Sequence, residues 1–149
     1  MRNAMRWTAA GLAILAVGCE QSVSADDDAG ADGGARSVTV VFQDAGHEVA
    51  LGTLPTTVVE GTPVVGLQAV IEAALPGEPT AGLAAGFVGA DGFRPESREF
   101  CASLVPVAWE TLARGYIDPA TRDLRWDPAL GYPGCMSPRD VAEIDVTRP

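Results

Sequence analysis

The stretch SVTVVFQDAGHEVAL, residues 37–51, decides the fold. Ser37–Gln43 is rich in β-branched and aromatic residues, Asp44–Gly46 is a turn signal, and His47–Leu51 alternates polar with apolar residues. This order predicts a β-hairpin at the start of a domain. We expect Leu54–Val59 to extend the hairpin, although a proline in this segment weakens that expectation.

One amphipathic helix is predicted next. Thr62 can cap its N-terminus, with Pro63 at the first helical position, where a missing N–H costs no hydrogen bond. Pro76-Gly77 then ends the helix. Apolar side chains recur at helical spacing and form one stripe: Leu67, Val70, Ile71, Ala74 and Leu75.

The second half of the chain predicts further strands. Leu83–Ala90 is typical of a buried strand and runs into the turn Asp91-Gly92-Phe93. Thr111–Asp118 and Asp123–Trp126 flank a turn that begins Asp-Pro, and Val141–Val146 alternates as a closing strand would. Residues 94–113 stay ambiguous, because a proline at 106 argues against one continuous helix. We predict a single small α+β domain, mostly antiparallel sheet with one main helix; a β-grasp module is the alternative.

The N-terminus, MRNAMRWTAAGLAILAVGCEQ, is typical of a bacterial lipoprotein signal. Arg2 and Arg6 precede an apolar run, Trp7–Val17, that is shorter than the roughly 20 residues a membrane-spanning helix needs. Because Cys19 follows small and aliphatic residues directly, we expect cleavage before it and a lipid on its sulfur. Two acyl chains there would give lasting attachment. An ordinary secretory signal and an uncleaved anchor are the alternatives.

Residues 19–36 predict a lipidated, disordered, acidic tether between the signal peptide (1–18) and the domain (37–149). They carry one large aliphatic residue after Cys19, too little apolar surface to offset the entropy of ordering. Asp26–Asp28 and Asp32 allow a calcium alternative, but their spacing lacks the alternation and distal glutamate of an EF-hand loop.

Charge limits the partners of the domain. From Arg36 onward, 15 acidic residues and eight arginines give a formal charge of −7, and the chain has no lysine. An acidic surface repels phosphate backbones, so we expect no nucleic-acid partner. No polybasic patch is present for anionic lipid, which leaves the acyl chains as the membrane contact. We therefore expect a lipid-anchored protein of the cell envelope that faces the periplasm or the exterior.

Two cysteines remain beyond the lipidation site, Cys101 and Cys135. In an exported protein an even pair favours a disulfide. Closing a loop of 34 residues would stabilise the domain by about 3–4 kcal/mol. Two free buried thiols, or one reactive thiol, are the alternatives.

The order of these elements, with the helix VVGLQAVIEAAL (64–75), the strand and turn FVGADGF (87–93) and the final VAEIDV (141–146), resembles the sulfite-oxidase-like molybdopterin-binding domain. The likeness covers residues 38–146, and its specific part is Ala90–Phe93. The resemblance implies a cysteine ligand for molybdenum, for which Cys101 is the candidate, and arginines and histidines around the pterin phosphate. This chain is much shorter, has a lone His47 and scattered arginines, and is expected to use Cys101 in a disulfide. We therefore expect the cofactor site to be lost and no cofactor to be bound.

The sequence contains none of the catalytic motifs G-x-S-x-G, H-E-x-x-H or Walker A. His47 could complete a catalytic set, but no activated serine is marked, so a surface or edge-strand histidine is the plainer interpretation. Gly86, Gly89 and Gly92 recur every third residue, a spacing that suits close strand packing or a turn better than a ligand loop.

Four residues are candidates for ligand contact: Asp91, Arg94, Trp109 and Trp126. The first two could form a polar cluster with Glu96 and Arg98, or could cap and pair within an exposed turn. The tryptophans, with Tyr116 and Tyr132, could line a sugar- or peptide-binding face, or could belong to the core.

Two functions follow. The first is a lipid-anchored, non-catalytic binding or accessory domain for a protein or small-molecule ligand. The second is a vestigial or partner-dependent oxidoreductase of the molybdopterin-binding type.

Overall fold

The computed structural model describes residues 36–149 of the chain. The predicted signal peptide, the lipidation site Cys19 and the tether up to residue 35 lie outside these residues. Nine strands lie within them: β1 (Ser37–Phe42), β2 (Ala45–Ala50), β3 (Thr57–Val59), β4 (Thr62–Gly66), β5 (Ala84–Gly89), β6 (Val107–Ala108), β7 (Gly115–Ile117), β8 (Leu124–Trp126) and β9 (Val141–Thr147).

The strands form two sheets. The larger has the order β2-β1-β9-β5-β6, with β1 and β9 parallel and the other pairs antiparallel. The smaller has the order β3-β4-β7-β8 and is antiparallel throughout. One main helix, α1 (Leu67–Ala74), and two single-turn helices, α2 (Glu99–Ala102) and α3 (Trp109–Leu112), complete the domain. The predicted α+β class is confirmed.

The order of the larger sheet is that of a β-grasp. The N-terminal hairpin leads into the helix, and the last strand, β9, inserts in parallel beside the first. Val141–Val146 is therefore a strand as predicted, but it lies at the centre of the sheet. The β-grasp alternative describes this sheet correctly.

The first hairpin is confirmed, with a two-residue turn at Gln43 and Asp44. Both residues have positive φ, 54° and 65°, as a type I′ turn requires. The turn joins β1 to β2 in the register Phe42↔Ala45 to Ser37↔Ala50. This register sets which backbone groups of β2 face outward.

The predicted helix start was wrong. Thr62 and Pro63 belong to β4, and α1 begins at Leu67 with Gly66 as its N-cap. The reason is a second tight turn at Glu60 and Gly61, both with positive φ, which pairs β4 with β3.

Pro63 is tolerated in this strand because it lies opposite Val58, the middle pair of a short hairpin, where neither residue hydrogen-bonds to the other. The buried β-branched pair Val64 and Val65 also favours a strand over a helical turn. The segment Leu54–Val59 therefore does not extend the first hairpin, since its last three residues start the second one.

The ambiguous segment 94–113 contains α2, β6 and α3, joined through a cis peptide bond before Pro106. The predicted strand from Thr111 is shorter than expected, because α3 continues to Leu112 and β7 starts at Gly115. The turn between β7 and β8 lies where the sequence predicts it.

The core lies between α1 and the inner face of the larger sheet. The predicted stripe of α1 is buried from Leu67 to Leu75, and it meets side chains of the sheet that point to the same side. Burial of such side chains contributes about 1.5–3 kcal/mol each. The buried residues of the sheet include Val38, Val40, Phe42, Phe87, Ile144 and Val146. Within residues 36–149, no helix has the length and apolar character needed to cross a membrane.

Candidate functional site

The first feature of the candidate site is the free edge of β2. With six residues, β2 is the longest edge strand of the described domain; β6 has two residues, and β3 and β8 have three each. In natural proteins, edge strands are often protected from pairing with another chain by a proline, a lysine or a β-bulge. The sequence of β2, AGHEVA, contains neither proline nor lysine, and its pairing with β1 is regular.

The hairpin register fixes which backbone groups of β2 are free. In a two-residue hairpin the residues flanking the turn, Phe42 and Ala45, form a hydrogen-bonded pair, and the pairs alternate from there. Ala45, His47 and Val49 therefore bond to β1. Gly46, Glu48 and Ala50 direct their N–H and C=O groups away from the sheet.

Within the described residues, 36–149, few groups cover these outward N–H and C=O groups. The carbonyl of Ala50 accepts a hydrogen bond of 2.7 Å from Thr53 Oγ1. The outward N–H and C=O groups of Gly46 and Glu48 have no hydrogen-bond partner within residues 36–149. Two residues of β2 thus present four backbone groups to an incoming chain.

The second feature is a groove beside this edge, on the side of the sheet that carries α1. Its volume is about 300 Å³. One wall comes from the hairpin and the other from the C-terminal end of α1 and the residues after it. The walls are of mixed polarity. The apolar residues that form them are Phe42, Ala45, Ala74, Leu75 and Pro76, and the polar ones are Gln43, His47 and Glu78.

The groove exists because α1 contacts β2, where Val49 is buried, but leaves Ala45 and His47 uncovered. Val40 and Phe42 are buried, whereas Ala45 and His47, which pair with them and point to the same side, are exposed. The helix ends at Ala74, and Pro76 prevents it from continuing over β2. The apolar surface at the helix end is thereby left open next to free backbone groups.

One acidic side chain lines the groove. It is Glu78, on the helix side, which binds Arg148 at 2.7 Å. Glu48 points to the opposite face of the sheet and has no ion-pair partner in the described part of the chain. His47 is the one basic side chain among the residues that line the groove. The site therefore combines a free strand edge, a groove of mixed polarity and, on the opposite face of β2, the carboxylate of Glu48.

A second, smaller groove contains one predicted ligand residue, Arg94. It has a volume of about 220 Å³ and lies on the opposite face of the sheet, over Gly86 and Asp145. The Arg94 guanidinium donates a hydrogen bond of 3.0 Å to Asp145 and lies 3.6 Å from Glu96. The predicted polar cluster of Arg94 and Glu96 is thus present, with Asp145 added to it.

The acidic pair Glu143 and Asp145 lies on this same face of β9. Burial of the Glu143 carboxyl, together with the neighbouring Asp145 carboxyl, raises the pKa of Glu143 above its ordinary value, and Arg94 opposes the shift. Arg94 neutralises part of the charge, but the face stays negative.

The other predicted ligand residues do not join Arg94. Asp91 accepts a hydrogen bond of 3.0 Å from the backbone N–H of Phe93 within its own turn. Its partner in the predicted cluster, Arg98, instead lies over the ring of Phe93, 5.8 Å from the centroid. Asp91 therefore stabilises the turn, as the plainer interpretation had it.

The aromatic residues pack on the core. Trp126 contacts Phe87 and Tyr132 edge to face, with centroids 5.9 and 5.1 Å apart, and donates a hydrogen bond from Nε1 to the carbonyl of Met136. Trp109 is half-buried against the core, and its carbonyl accepts a hydrogen bond from Gln68. Both tryptophans contribute to packing, and neither lies in the groove beside β2. Trp126 also lines a separate groove of about 300 Å³, so its role in ligand contact stays a prediction.

Gly86 and Gly89 serve close packing, as predicted. A Cβ at Gly86 would lie 3.3 Å from Val105, and one at Gly89 would lie 2.9 Å from the Asp91 carboxylate. Gly92 has a φ of +88° and allows the turn before Phe93.

Cys101 and Cys135 lie at bonding distance, with 2.03 Å between the sulfurs and 6.2 Å between the Cα atoms. This pairing is the predicted disulfide. It joins α2 to the loop before β9, and the Cys101 side chain is fully buried.

The residues present do not fit a molybdopterin cofactor. Cys101, the candidate metal ligand, is consumed in the disulfide and is inaccessible. Six of the eight arginines in the described residues lie within 4.0 Å of a carboxylate, so they offer no free cationic cradle for a phosphate. No reaction step is therefore assigned to a molybdopterin cofactor in this protein.

No protein-family model, no curated protein and no solved structure matches this chain. The candidate site therefore rests on its own geometry.

The residues of the groove were not predicted as a site, except that His47 was correctly placed on an edge strand. One signal in the sequence pointed to it: HEVAL is a regular strand without proline or lysine. The sequence does not reveal that β9 would occupy the other side of β1, which makes β2 the edge.

Proposed function

We propose that this protein is a lipid-anchored, extracytoplasmic, non-catalytic binding domain that captures its partner at the free edge of β2 and the adjoining groove. The observation that carries the proposal is the juxtaposition of the unpaired backbone groups of Gly46 and Glu48 with a partly apolar groove at the end of α1.

The two features support one mode of binding. A chain that adds to a sheet edge gains affinity from backbone hydrogen bonds, and a neighbouring pocket selects its side chains. The groove of about 300 Å³ lies at the lower end of the size range of ligand pockets, enough for one or two side chains. The anchor rests on the signal at residues 1–18 and on Cys19, and the disulfide is consistent with an oxidising compartment.

The anchor is tested by Cys19→Ser in the full chain. We expect the variant to lose lipid and to leave the membrane fraction or change compartment, while the disulfide and the fold of residues 37–149 stay intact. Fractionation and labelling with a radioactive fatty acid measure both. A variant that still fractionates with membranes contradicts the anchor.

Binding is tested on residues 36–149. Their hydrophobic core is continuous within this range, so we expect them to fold as a unit. A random peptide library displayed on phage is selected against the wild-type domain, and the enriched peptides are then titrated against two variants.

Ala45→Leu fills the groove from the exposed side of β2, and Ala50→Leu adds the same bulk on the other face of the strand. We expect Ala45→Leu to weaken the selected peptides by about tenfold or more and Ala50→Leu to leave them nearly unchanged. Equal effects of the two variants, or no enriched peptide, would contradict the proposed site.

A further inference from the structure

We propose that the occupant of this site is an extended segment of a partner protein in which apolar and basic residues alternate, bound as a sixth strand beside β2. This inference rests on the proposed function and names the chemistry of the partner. It follows from three observations: the direction of the free backbone groups, the groove with apolar side chains on one face, and the charge on the other.

The backbone of β2 determines where the side chains of the incoming segment point. A segment that hydrogen-bonds to Gly46 and Glu48 continues the pleat of the sheet, so its successive side chains point to opposite faces. On the face that carries α1, a side chain next to Ala45 and His47 enters the groove. Apolar side chains suit this position, because Phe42, Leu75 and Pro76 line the groove.

The opposite face of the sheet determines which charge the partner segment should carry. Glu48 pairs with Thr39, and Thr39 pairs in turn with Glu143, so both carboxylates lie on this face. Asp145, two residues further along β9, also lies on it. Glu48 is exposed and has no ion-pair partner in the described residues. A lysine or arginine of the incoming strand, on the face away from the groove, would lie beside Glu48.

Gly46 adds no side chain of its own to this face, and the Thr39 methyl group lies 3.3 Å from where a Cβ at Gly46 would be. Gly46 lies on the same face as Glu48, because its partner Val41 pairs with Asp145. Of these two outward positions of β2, Glu48 supplies the charge, and Gly46 carries no side chain. An alternating basic and apolar strand fits both faces at once.

A second copy of this chain fits less well. Antiparallel pairing of two β2 strands with Glu48 opposite Glu48 places like charges side by side, and each domain carries a charge of −7. Self-pairing is therefore disfavoured by charge, whereas a basic segment is attracted.

The test uses residues 36–149 labelled with ¹⁵N and two blocked synthetic peptides. In the first peptide lysine and leucine alternate, and in the second glutamate and leucine alternate. Amide hydrogen exchange is followed at single residues by NMR. We expect the lysine peptide to slow exchange at Gly46 and Glu48 by about tenfold or more, with little change at His47, which already bonds to β1. We expect the glutamate peptide to bind at least about tenfold more weakly.

Two substitutions of Glu48 distinguish the contribution of its backbone hydrogen bond from that of its charge. Glu48→Pro removes the outward N–H together with the carboxylate, and proline is compatible with an edge strand whose N–H faces solvent. Glu48→Gln removes the charge alone. We expect Glu48→Pro to abolish the protection at Gly46, and Glu48→Gln to weaken the lysine peptide by about threefold while the protection persists. If Glu48→Pro fails to fold, Ala45→Leu replaces it. This variant fills the groove, so it should also remove the protection that the lysine peptide gives at Gly46.

Each other outcome overturns the inference in a recognisable way. Binding of the lysine peptide without protection at Gly46 and Glu48 excludes strand addition but leaves a binding domain in place. Equal affinity for the two peptides excludes the charge argument. Protection that rises with protein concentration in the absence of peptide identifies a second copy as the occupant. Binding of neither peptide overturns the inference, and the library selection then decides the proposed function separately.

Discussion

Val40 and His47 face each other across β1 and β2, yet Val40 is 0% exposed and His47 is exposed. The helix α1 contacts β2, whose Val49 is buried, but it leaves Ala45 and His47 exposed. The boundary between core and surface therefore runs along β2, between Val49 and His47, and the groove lies on its open side. A binding surface arises here from incomplete coverage of a regular sheet.

Gly115 is a position where packing tolerates no side chain. A Cβ there would lie 2.5 Å from Trp126 Cζ3 and 2.6 Å from Leu67 Cδ1. Gly115→Ala should reduce the free energy of unfolding by about 1–3 kcal/mol, because the indole or the helix must shift. Urea unfolding followed by tryptophan fluorescence measures the change.

Gly134→Ala is the matched control, since a Cβ at Gly134 meets nothing within 4 Å. It should be neutral or slightly stabilising. Equal losses in the two variants would contradict this account of the packing.

The disulfide should contribute strongly to stability. It closes a loop of 34 residues, for which the chain-entropy relation gives about 3–4 kcal/mol. The double variant Cys101→Ala, Cys135→Ala should lose this amount in urea unfolding, and the wild type in reducing agent should lose about as much. If reduction leaves the unfolding midpoint unchanged, the bond is not a stabilising cross-link.

Glu143 should give a pH-dependent contribution to stability. Its pKa is raised in the folded state, mainly by burial and then by Asp145, so ionising it costs more in the folded than in the unfolded chain. The stability associated with Glu143 is therefore fully present below the unfolded pKa and is lost as the pH rises through the folded pKa.

Glu143→Gln should accordingly raise the free energy of unfolding at about pH 7, and the gain should shrink toward zero below about pH 4. Urea unfolding of variant and wild type at both pH values provides the comparison. A gain that is the same at both values would show that the substitution acts through packing rather than ionisation.

Local sequence patterns predicted much of the fold. The hairpin of β1 and β2 and the buried stripe from Leu67 to Leu75 follow from turn residues and periodicity alone. The start of the helix could not be predicted in this way, because Thr62 and Pro63 suit a helix N-terminus locally. They form a strand only because β4 pairs with β3 and β7.

The candidate site was less predictable for the same reason. Ala45 and Pro76 come together only when α1 packs on the larger sheet, and β2 is an edge only because β9 lies on the other side of β1. Both relationships join residues far apart in sequence. Trp126 is a predicted ligand residue because aromatic residues favour both interfaces and cores. It packs on Phe87 and Tyr132 and also lines a groove, so its packing alone does not decide between the two.

The most direct test of the account is amide hydrogen exchange at two neighbouring residues of the free protein, His47 and Glu48. The register predicts that the His47 amide, bonded to β1, exchanges slowly, and that the outward Glu48 amide exchanges nearly as fast as in an unfolded chain. Gly46 should behave like Glu48, and Val49 like His47. Slow exchange at Glu48 without any partner would mean that the edge is already covered, and would contradict a free binding edge on β2.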